Sequence, residues 1–298
     1  MNFSLQILGS SSAVPTKDRN QTALLLDLGQ ESLLFDAGEG VQKQLINYGI
    51  KSFKISHIFI SHLHPDHYIG LIGLLCSWGL MNRTSALTIT SPVGIEEIIN
   101  TQLSISGIKL SFPITYLAPN LADNEVFLET RSFSVKNFRL KHRVNCFGYL
   151  VTEAQHERKL IAEKITDEIP FDAFPILKSG KNYTNAAGKE FRHEELTLPP
   201  APSRSFAYFT DTAVQLNLAQ YLNNVDLLYH DSTFLGALTE KAHKTGHSTT
   251  VQAAEFAKTA GVKKLLLGHF SSRYGSLTEL EQEAREIFAE SYLATEGR

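Results

Sequence analysis

The sequence predicts an α/β fold, a four-layer αββα sandwich carrying an inserted arm. Two observations predict it. Two β-rich halves carry flanking helical patterns, and the segment between them breaks the rhythm.

In chain order, Phe3–Leu8, Thr22–Leu28 and Ser32–Phe35 read as strands, short apolar runs closed by Gly- and Ser-rich or Gly-Gln-Glu turns. A helix is predicted over Val41–Tyr48, stopped by Gly49. His57–Ile60 reads as a buried strand, followed by a histidine-rich loop and an apolar helix over Ile69–Met81. Leu87–Thr90 reads as a strand, with Ser91 as N-cap and Pro92 at the first position of the next helix.

The strand pattern returns from Glu125 to Val151. There Phe138, Leu140 and His142 share one face and Arg139, Lys141 and Arg143 the other, which puts a histidine inward at a strand end and cations toward water. Residues 152–198 are charged and polar, with Pro170, Pro175, Gly180 and Gly188 scattered through them, so they read as the arm. Order resumes with strands at Ser205–Phe209, Asp226–Tyr229 and Lys263–Leu267. Helices are predicted over Thr249–Thr259, capped by Ser248, and over Leu277–Ser291.

Composition excludes several classes. A 43% hydrophobic and 20% charged chain of 298 residues can bury a full core, and a net charge of -3 offers phosphate no global attraction. Any nucleic-acid partner needs a local basic patch. Cys76 and Cys146 lie in apolar surroundings and read as buried reduced thiols, since two cysteines make no disulfide framework. The start, MNFSLQILGSSS, lacks the charged head and long apolar core of a signal peptide. The run Tyr68–Met81 falls short of the roughly 18–20 residues a membrane span needs. A soluble cytoplasmic protein, with no membrane partner, is the expectation.

The chemistry concentrates in His62–Leu63–His64–Pro65–Asp66–His67. Imidazole nitrogens and carboxylate oxygens suit a borderline divalent ion such as zinc. His62 and His64, two apart on an extended segment, point the same way, while Asp66 and His67 aim at a second point where the chain turns into a helix. One short loop can therefore feed two ions. Further candidates, His142, Asp211 and His269, each follow a β-type run.

These residues resemble the metallo-β-lactamase superfamily, and within it the ribonuclease Z branch, which processes transfer-RNA 3′ ends. His62–His67 matches the HxHxDH signature. Leu8–Ser10, Val14–Thr16 and Arg19–Asn20 resemble the branch's first block, and Leu34–Gly40 its next. Leu267–Gly268–His269–Phe270–Ser271–Ser272–Arg273–Tyr274 resembles its last.

The resemblance implies two Zn2+ per chain, with Mn2+ as an alternative ion. One would be held by His62, His64 and His142, the other by Asp66, His67 and His269, with Asp211 bridging. It implies a metallo-β-lactamase fold and a phosphodiesterase that uses a two-metal-activated hydroxide to remove 3′ trailers from tRNA precursors, acting as a homodimer. Asp66, His247 and Asp231 are the candidate catalytic residues, His247 as proton donor and Asp231 as its orienting carboxylate. Arg273 resembles a phosphate-binding position. The alternative is a phosphodiesterase of the same superfamily for small molecules, cyclic nucleotides or related esters.

The chain departs from the branch in places. Asp231 stands where glutamate is usual, one methylene shorter, which suggests a displaced pair or one bridged by water. Pro65 replaces a glycine, and Gly268 a threonine. The arm, basic in the branch, here holds seven Lys/Arg against nine Asp/Glu over 152–198.

Overall fold

The computed structural model describes residues 2–119 and 122–298. The first half builds strands β1 (Ser4–Gly9), β2 (Ala23–Asp27) and β3 (Ser32–Phe35), helix α1 (Val41–Asn47), strand β4 (Ile55–Phe59), helix α2 (Pro65–Leu80), strand β5 (Leu87–Thr90), helix α3 (Ile95–Ile105) and strand β6 (Ile114–Leu117). The six strands form one sheet in the order of the chain. Pairing is antiparallel through β1, β2 and β3, then parallel through β4, β5 and β6.

The second sheet takes β7 (Val126–Glu129), β8 (Phe133–Leu140) and β9 (Cys146–Glu153). Beyond them lie β10 (Lys159–Leu160), α4 (Ala173–Lys178), β11 (Tyr183–Thr184), β12 (Glu190–Phe191), α5 (His193–Leu196) and β13 (Thr197–Leu198), which form two small two-stranded pairs. The chain then returns as β14 (Ser205–Phe209), β15 (Leu227–Asp231), α6 (Thr239–Thr245), α7 (Thr250–Ala260), β16 (Leu265–Gly268), α8 (Thr278–Ile287) and β17 (Ser291–Leu293). Its strand order is β17-β16-β15-β14-β9-β8-β7.

Aromatic side chains join the two large sheets face to face. Phe35 stacks on Phe59 at 5.2 Å and meets Phe206 edge-on at 5.4 Å, while Phe59 lies 5.1 Å from Tyr149. The outer face of the first sheet is covered by Leu45 of α1, Leu71, Leu75 and Trp78 of α2 and Ile99 of α3. On the second, α7 lies against β15 and β16, and Phe256 sits 6.0 Å from Phe209. Helices, sheet, sheet, helices: this is the αββα sandwich, and each layer buries the apolar face its sequence period provides.

Residues 130–133 and 152–204 form a second compact unit. Its own small cluster holds Ile169, Ala173, Leu177, Phe191 and Leu196. Its ends meet where Glu153 N–H donates to Arg204 O at 2.9 Å and the Arg204 guanidinium clamps the Glu153 carboxylate at 2.6 Å.

Several local expectations shift. The helix after β5 starts at Ile95 behind Gly94, because Ser91 Oγ donates to Pro92 O instead of capping it. Thr249, rather than Ser248, caps α7 in a reciprocal box with Gln252. The closing helix stops at Ile287, and Ser291–Leu293 forms an edge strand. Cys146 is buried, but Cys76 is half-buried, beside the stripe Leu71, Leu74, Leu75 and Trp78 that α2 turns inward. Among the described residues, no helix is long and apolar enough to cross a membrane.

Candidate metal centre

The His62–His67 segment leaves β4 and becomes α2 earlier than its apolar pattern suggests. Pro65 occupies the first helical position and His64, in extended backbone, is the N-cap. Proline fits there because its missing N–H has no partner to lose. His62 and His64 therefore project from extended chain, while Asp66 and His67 project from the first helical turn, where the helix dipole favours a carboxylate.

The remaining candidates arrive from strand ends. His142 lies just past β8, Asp211 past β14 and His269 immediately past β16. Asp36, directly after β3, joins them. Asp36, Asp211 and His269 hold positive φ angles of 53, 47 and 60°. Side chains other than glycine avoid that region, so the surrounding bonds must hold them there.

Two groups result. His62 Nε2 lies 2.8 Å from His64 Nδ1, and His142 Nε2 lies 3.3 Å from the same atom. Asp211 Oδ2 faces this group, 3.7 Å from His62 Nε2 and 3.8 Å from His142 Nε2. Asp211 Oδ1 faces the other way, 3.2 Å from His67 Nε2 and 3.0 Å from His269 Nε2. Asp66 Oδ2 completes the second group at 3.3 Å from His67 Nε2. The ligand atoms of His62, His64, His142 and Asp211 lie within 4.8 Å of one another, and so do those of Asp66, His67 and His269.

The outer bonds decide which ring atom carries each proton. Ser61 Oγ donates to Asp36 Oδ2 at 2.8 Å, so it accepts from His62 Nδ1 at 3.0 Å. His67 Nδ1 donates to Asp36 Oδ2 at 2.6 Å and His142 Nδ1 to Gly246 O at 2.9 Å. Thr233 Oγ1 donates to Asp231 Oδ1 and accepts from His269 Nδ1 at 2.9 Å. Four Nε2 lone pairs are thus turned inward, the tautomer a metal ligand requires.

The residues fit a pair of divalent cations. Nε2 of His67 and of His269 are buried with no hydrogen-bond partner. Unpaired buried acceptors are costly unless a cation sits between them. Burial, aided by the charge of His67, pushes the His62 pKa well down, and burial also lowers His64 and His142. Burial opposes ionisation of Asp211, but His269, His67 and His62 outweigh it and hold the carboxyl well below its usual range. Burial likewise opposes charge on His67, yet Asp211 and Asp36 raise it well above an ordinary imidazole.

Beside the cluster, His247 Nδ1 lies 2.8 Å from Asp231 Oδ2, a direct contact that the shorter aspartate still reaches. Thr212 N–H and Thr233 N–H also donate to Asp231, fixing it. The His247 ring stands 5.2 Å from both the His142 and the His269 rings. Burial alone would lower its pKa, but the Asp231 carboxylate pushes it up to about 9.

Arg273 is exposed and enters neither ligand group. Its guanidinium lies 5.0 Å over the Phe234 ring, which stands 6.2 Å from His247. Gly268 has a plain steric reason: a Cβ there would fall 2.2 Å from the Tyr229 ring.

The sequence reading missed the role of Asp36, which accepts from Ser61 N–H, Ser61 Oγ, His67 and Tyr208 OH. Its place directly after a β-type run was the available signal, the same one that drew attention to Asp211 and His269.

Comparison with known proteins decides the family. Over 298 residues the chain is 42% identical to the ribonuclease Z of Cytophaga hutchinsonii, covering 100% of this chain and 95% of that one. The chain belongs to the ribonuclease Z family. Membership makes it a metal-dependent hydrolase of the ribonuclease Z type. The family's Bacteroides fragilis member is 36% identical over 296 residues, covering 99% of this chain and 97% of its own. The short form of human tRNase Z superposes with a TM-score of 0.71 at 27% identity, covering 99% of this chain and 97% of the human one. A family profile described as anti-Pycsar protein Apyc1 matches residues 3–147.

Proposed function

We propose that the chain is a zinc-dependent phosphodiesterase, an endoribonuclease that removes 3′ trailers from tRNA precursors. The observation that carries this reading is the split carboxylate of Asp211, one oxygen toward each ligand group, beside the His247–Asp231 pair. The ribonuclease Z relatives and human tRNase Z support the substrate class.

His62, His64 and His142 would hold one Zn2+ and Asp66, His67 and His269 the other, with Asp211 shared; Mn2+ suits the same nitrogen and oxygen donors. Bound there, the two cations supply Lewis acidity, lowering the pKa of a water and offsetting charge on the phosphate oxygens. The chain's own residues do the rest. With Nδ1 held by Asp231, His247 keeps Nε2 for handing a proton to the departing ribose oxygen. Asp231 aims the ring and sustains its charge. Arg273 offers its fork to a phosphate oxygen from the Phe234 side.

The resemblance also carries a homodimer and a cytoplasmic location. Ile46 of α1 with Ile69, Leu80 and Met81 around α2 leaves an exposed apolar face for a second copy. A monomeric mass by light scattering would remove the dimer. A second reading, a phosphodiesterase for cyclic nucleotides or related small esters, is favoured by the arm's excess of carboxylates over cations.

One experiment separates the two. Zinc-loaded protein is given a tRNA precursor and bis(p-nitrophenyl) phosphate side by side, with Asp211→Ala as control. Cleavage just after the discriminator base is expected, with a loss on the order of 10³-fold or more in the control. An intact precursor beside a hydrolysed diester would overturn the proposal in favour of the small-ester reading.

A further inference from the structure

We propose that the turn after β8 forms a second phosphate subsite, in which Arg139 and Arg143 hold the phosphodiester next to the one attacked. This rests on the reading above that the substrate is an RNA chain.

The strand alternation places Arg139, Lys141 and Arg143 together on a water-facing edge. The fold does something else. β8 ends at Leu140, Lys141 makes a lone bridge to Ala213, and the chain curls through Asn145 before β9 begins at Cys146. The curl encloses a cleft of about 300 Å3 lined by Arg139, His142, Arg143, Asn145 and Phe147 among others. That volume suits a nucleotide-sized group.

His142 connects the cleft to the metal centre. The same imidazole that borders the cleft turns Nε2 toward His64 and Asp211. Anything seated in the cleft is therefore one side chain away from the reacting phosphate. In a polynucleotide, the group at that separation is the neighbouring phosphodiester.

Charge points the same way. Arg192, Arg204 and Arg285 each sit on a carboxylate, Glu194, Glu153 and Glu281. Among the described residues, no carboxylate lies within 4.0 Å of the Arg139 or Arg143 guanidinium. Asp123 engages only the backbone N–H of Arg139, at 2.6 Å. Arg143 Nη2 donates to Lys244 O at 3.2 Å, which anchors one corner of the fork of a residue that also lines the cleft. Two guanidinium forks with no carboxylate partner, and the Asn145 amide lining the same cleft, offer the planar donors that phosphodiester oxygens accept. In a chain with a net charge of -3, that local excess of positive charge is what a polyanion can use.

The test compares ligands with one phosphate and with several. Zinc-loaded Arg139→Ala/Arg143→Ala protein hydrolyses bis(p-nitrophenyl) phosphate, which has no second phosphate, while a short single-stranded RNA competes as inhibitor. We expect kcat and KM for the diester to stay within about twofold of the parent. The inhibition constant of the RNA should rise roughly tenfold or more, and its dependence on log salt should flatten by about 0.7 for each arginine–phosphate pairing removed. Arg139→Lys/Arg143→Lys, which keeps charge but not the fork, should fall between. Two results would overturn the subsite: an unchanged RNA inhibition constant, or a parallel fall in diester turnover, which would assign the arginines to holding His142. The outcome is independent of the precursor assay. Arginine-dependent RNA inhibition in a protein that leaves the precursor intact keeps the subsite and removes the precursor reading. Precursor cleavage without arginine dependence removes only the subsite.

Discussion

Four hydrogen bonds converge on the buried carboxylate of Asp36, whereas the unit of residues 130–133 and 152–204, apart from the Glu153–Arg204 clamp, carries ion pairs such as Lys189–Glu168 and Arg192–Glu194 at the surface. The first arrangement is over-determined. The rings of His62, His67, His142 and His269 each have one nitrogen committed to an outer partner, and three residues are held in left-handed backbone that they would otherwise leave. The second rests on a five-residue apolar cluster and on exposed pairs worth about 0–1 kcal/mol each. The difference teaches a division of labour. On the proposed function, chemistry would depend on rigid positions in the sandwich, and grip on a large substrate could be altered in the second unit without disturbing them.

With the metal ligands left intact, the largest effect should come from the proton donor. His247→Ala removes a general acid, and RNA cleavage should fall about 10²-fold or more in kcat with little change in KM. Bis(p-nitrophenyl) phosphate, whose leaving group departs without a proton, should lose less than about threefold. The pH profile sharpens this. His247 must be protonated to act, and its pKa stands raised to about 9, so RNA turnover should fall as pH climbs through that value. Cations at Asp211 and His269 repel the proton, so metal loading can only move the limb downward. The matching stability term has the sign of a raised histidine: fully present below about 6.5 and lost as pH rises through about 9. Equal losses on both substrates would contradict the assignment of His247 as proton donor.

Excision of the arm should produce the complementary result. Because Glu153 and Arg204 are hydrogen-bonded to each other, a short glycine linker can join residues 153 and 204. The shortened protein should hydrolyse the small diester at the parental rate, while KM for a tRNA precursor rises some tens-fold, the scale of removing a few phosphate pairings. Unchanged precursor KM would show that the acidic arm plays no part in grip, and would break the comparison.

How far the sequence foretold this follows from the range of each interaction. His62–His67 was legible because its ligands are neighbours in the chain, and the strands at Ser32–Phe35, Leu87–Thr90 and Ser205–Phe209 because an apolar run between turns is a local pattern. The small elements of the second unit were not, since two-residue strands such as Tyr183–Thr184 leave no period to read. The closing helix, read as running to Ser291, stops at Ile287, and the three-residue strand Ser291–Leu293 is too short to show a period. Convergence of His142, Asp211 and His269 came from resemblance, because no spacing within the chain encodes it. Asp36 draws its donors from Ser61, His67 and Tyr208, 25, 31 and 172 residues away in sequence, so its role is not a local pattern.

That distant contact yields the smallest prediction. Tyr208 OH donates to Asp36 Oδ2 at 2.6 Å, and burial together with the Asp36 charge keeps its pKa well above the usual phenol range. It therefore donates throughout the working pH. Tyr208→Phe leaves Asp36 with its other donors but removes the one that comes from the opposite sheet. The ring remains to pack at 5.4 Å against Phe35, so the sandwich should stay folded. What changes is how firmly Asp36 holds His67. Metal affinity, measured by competition with a chromophoric chelator, should weaken about tenfold, the range for loss of an outer partner. Activity at saturating zinc should recover most of the loss, because the ligands themselves are intact. An unchanged affinity would mean that Ser61 and the backbone suffice to fix Asp36, and that the rigidity of the cluster is local to the first sheet.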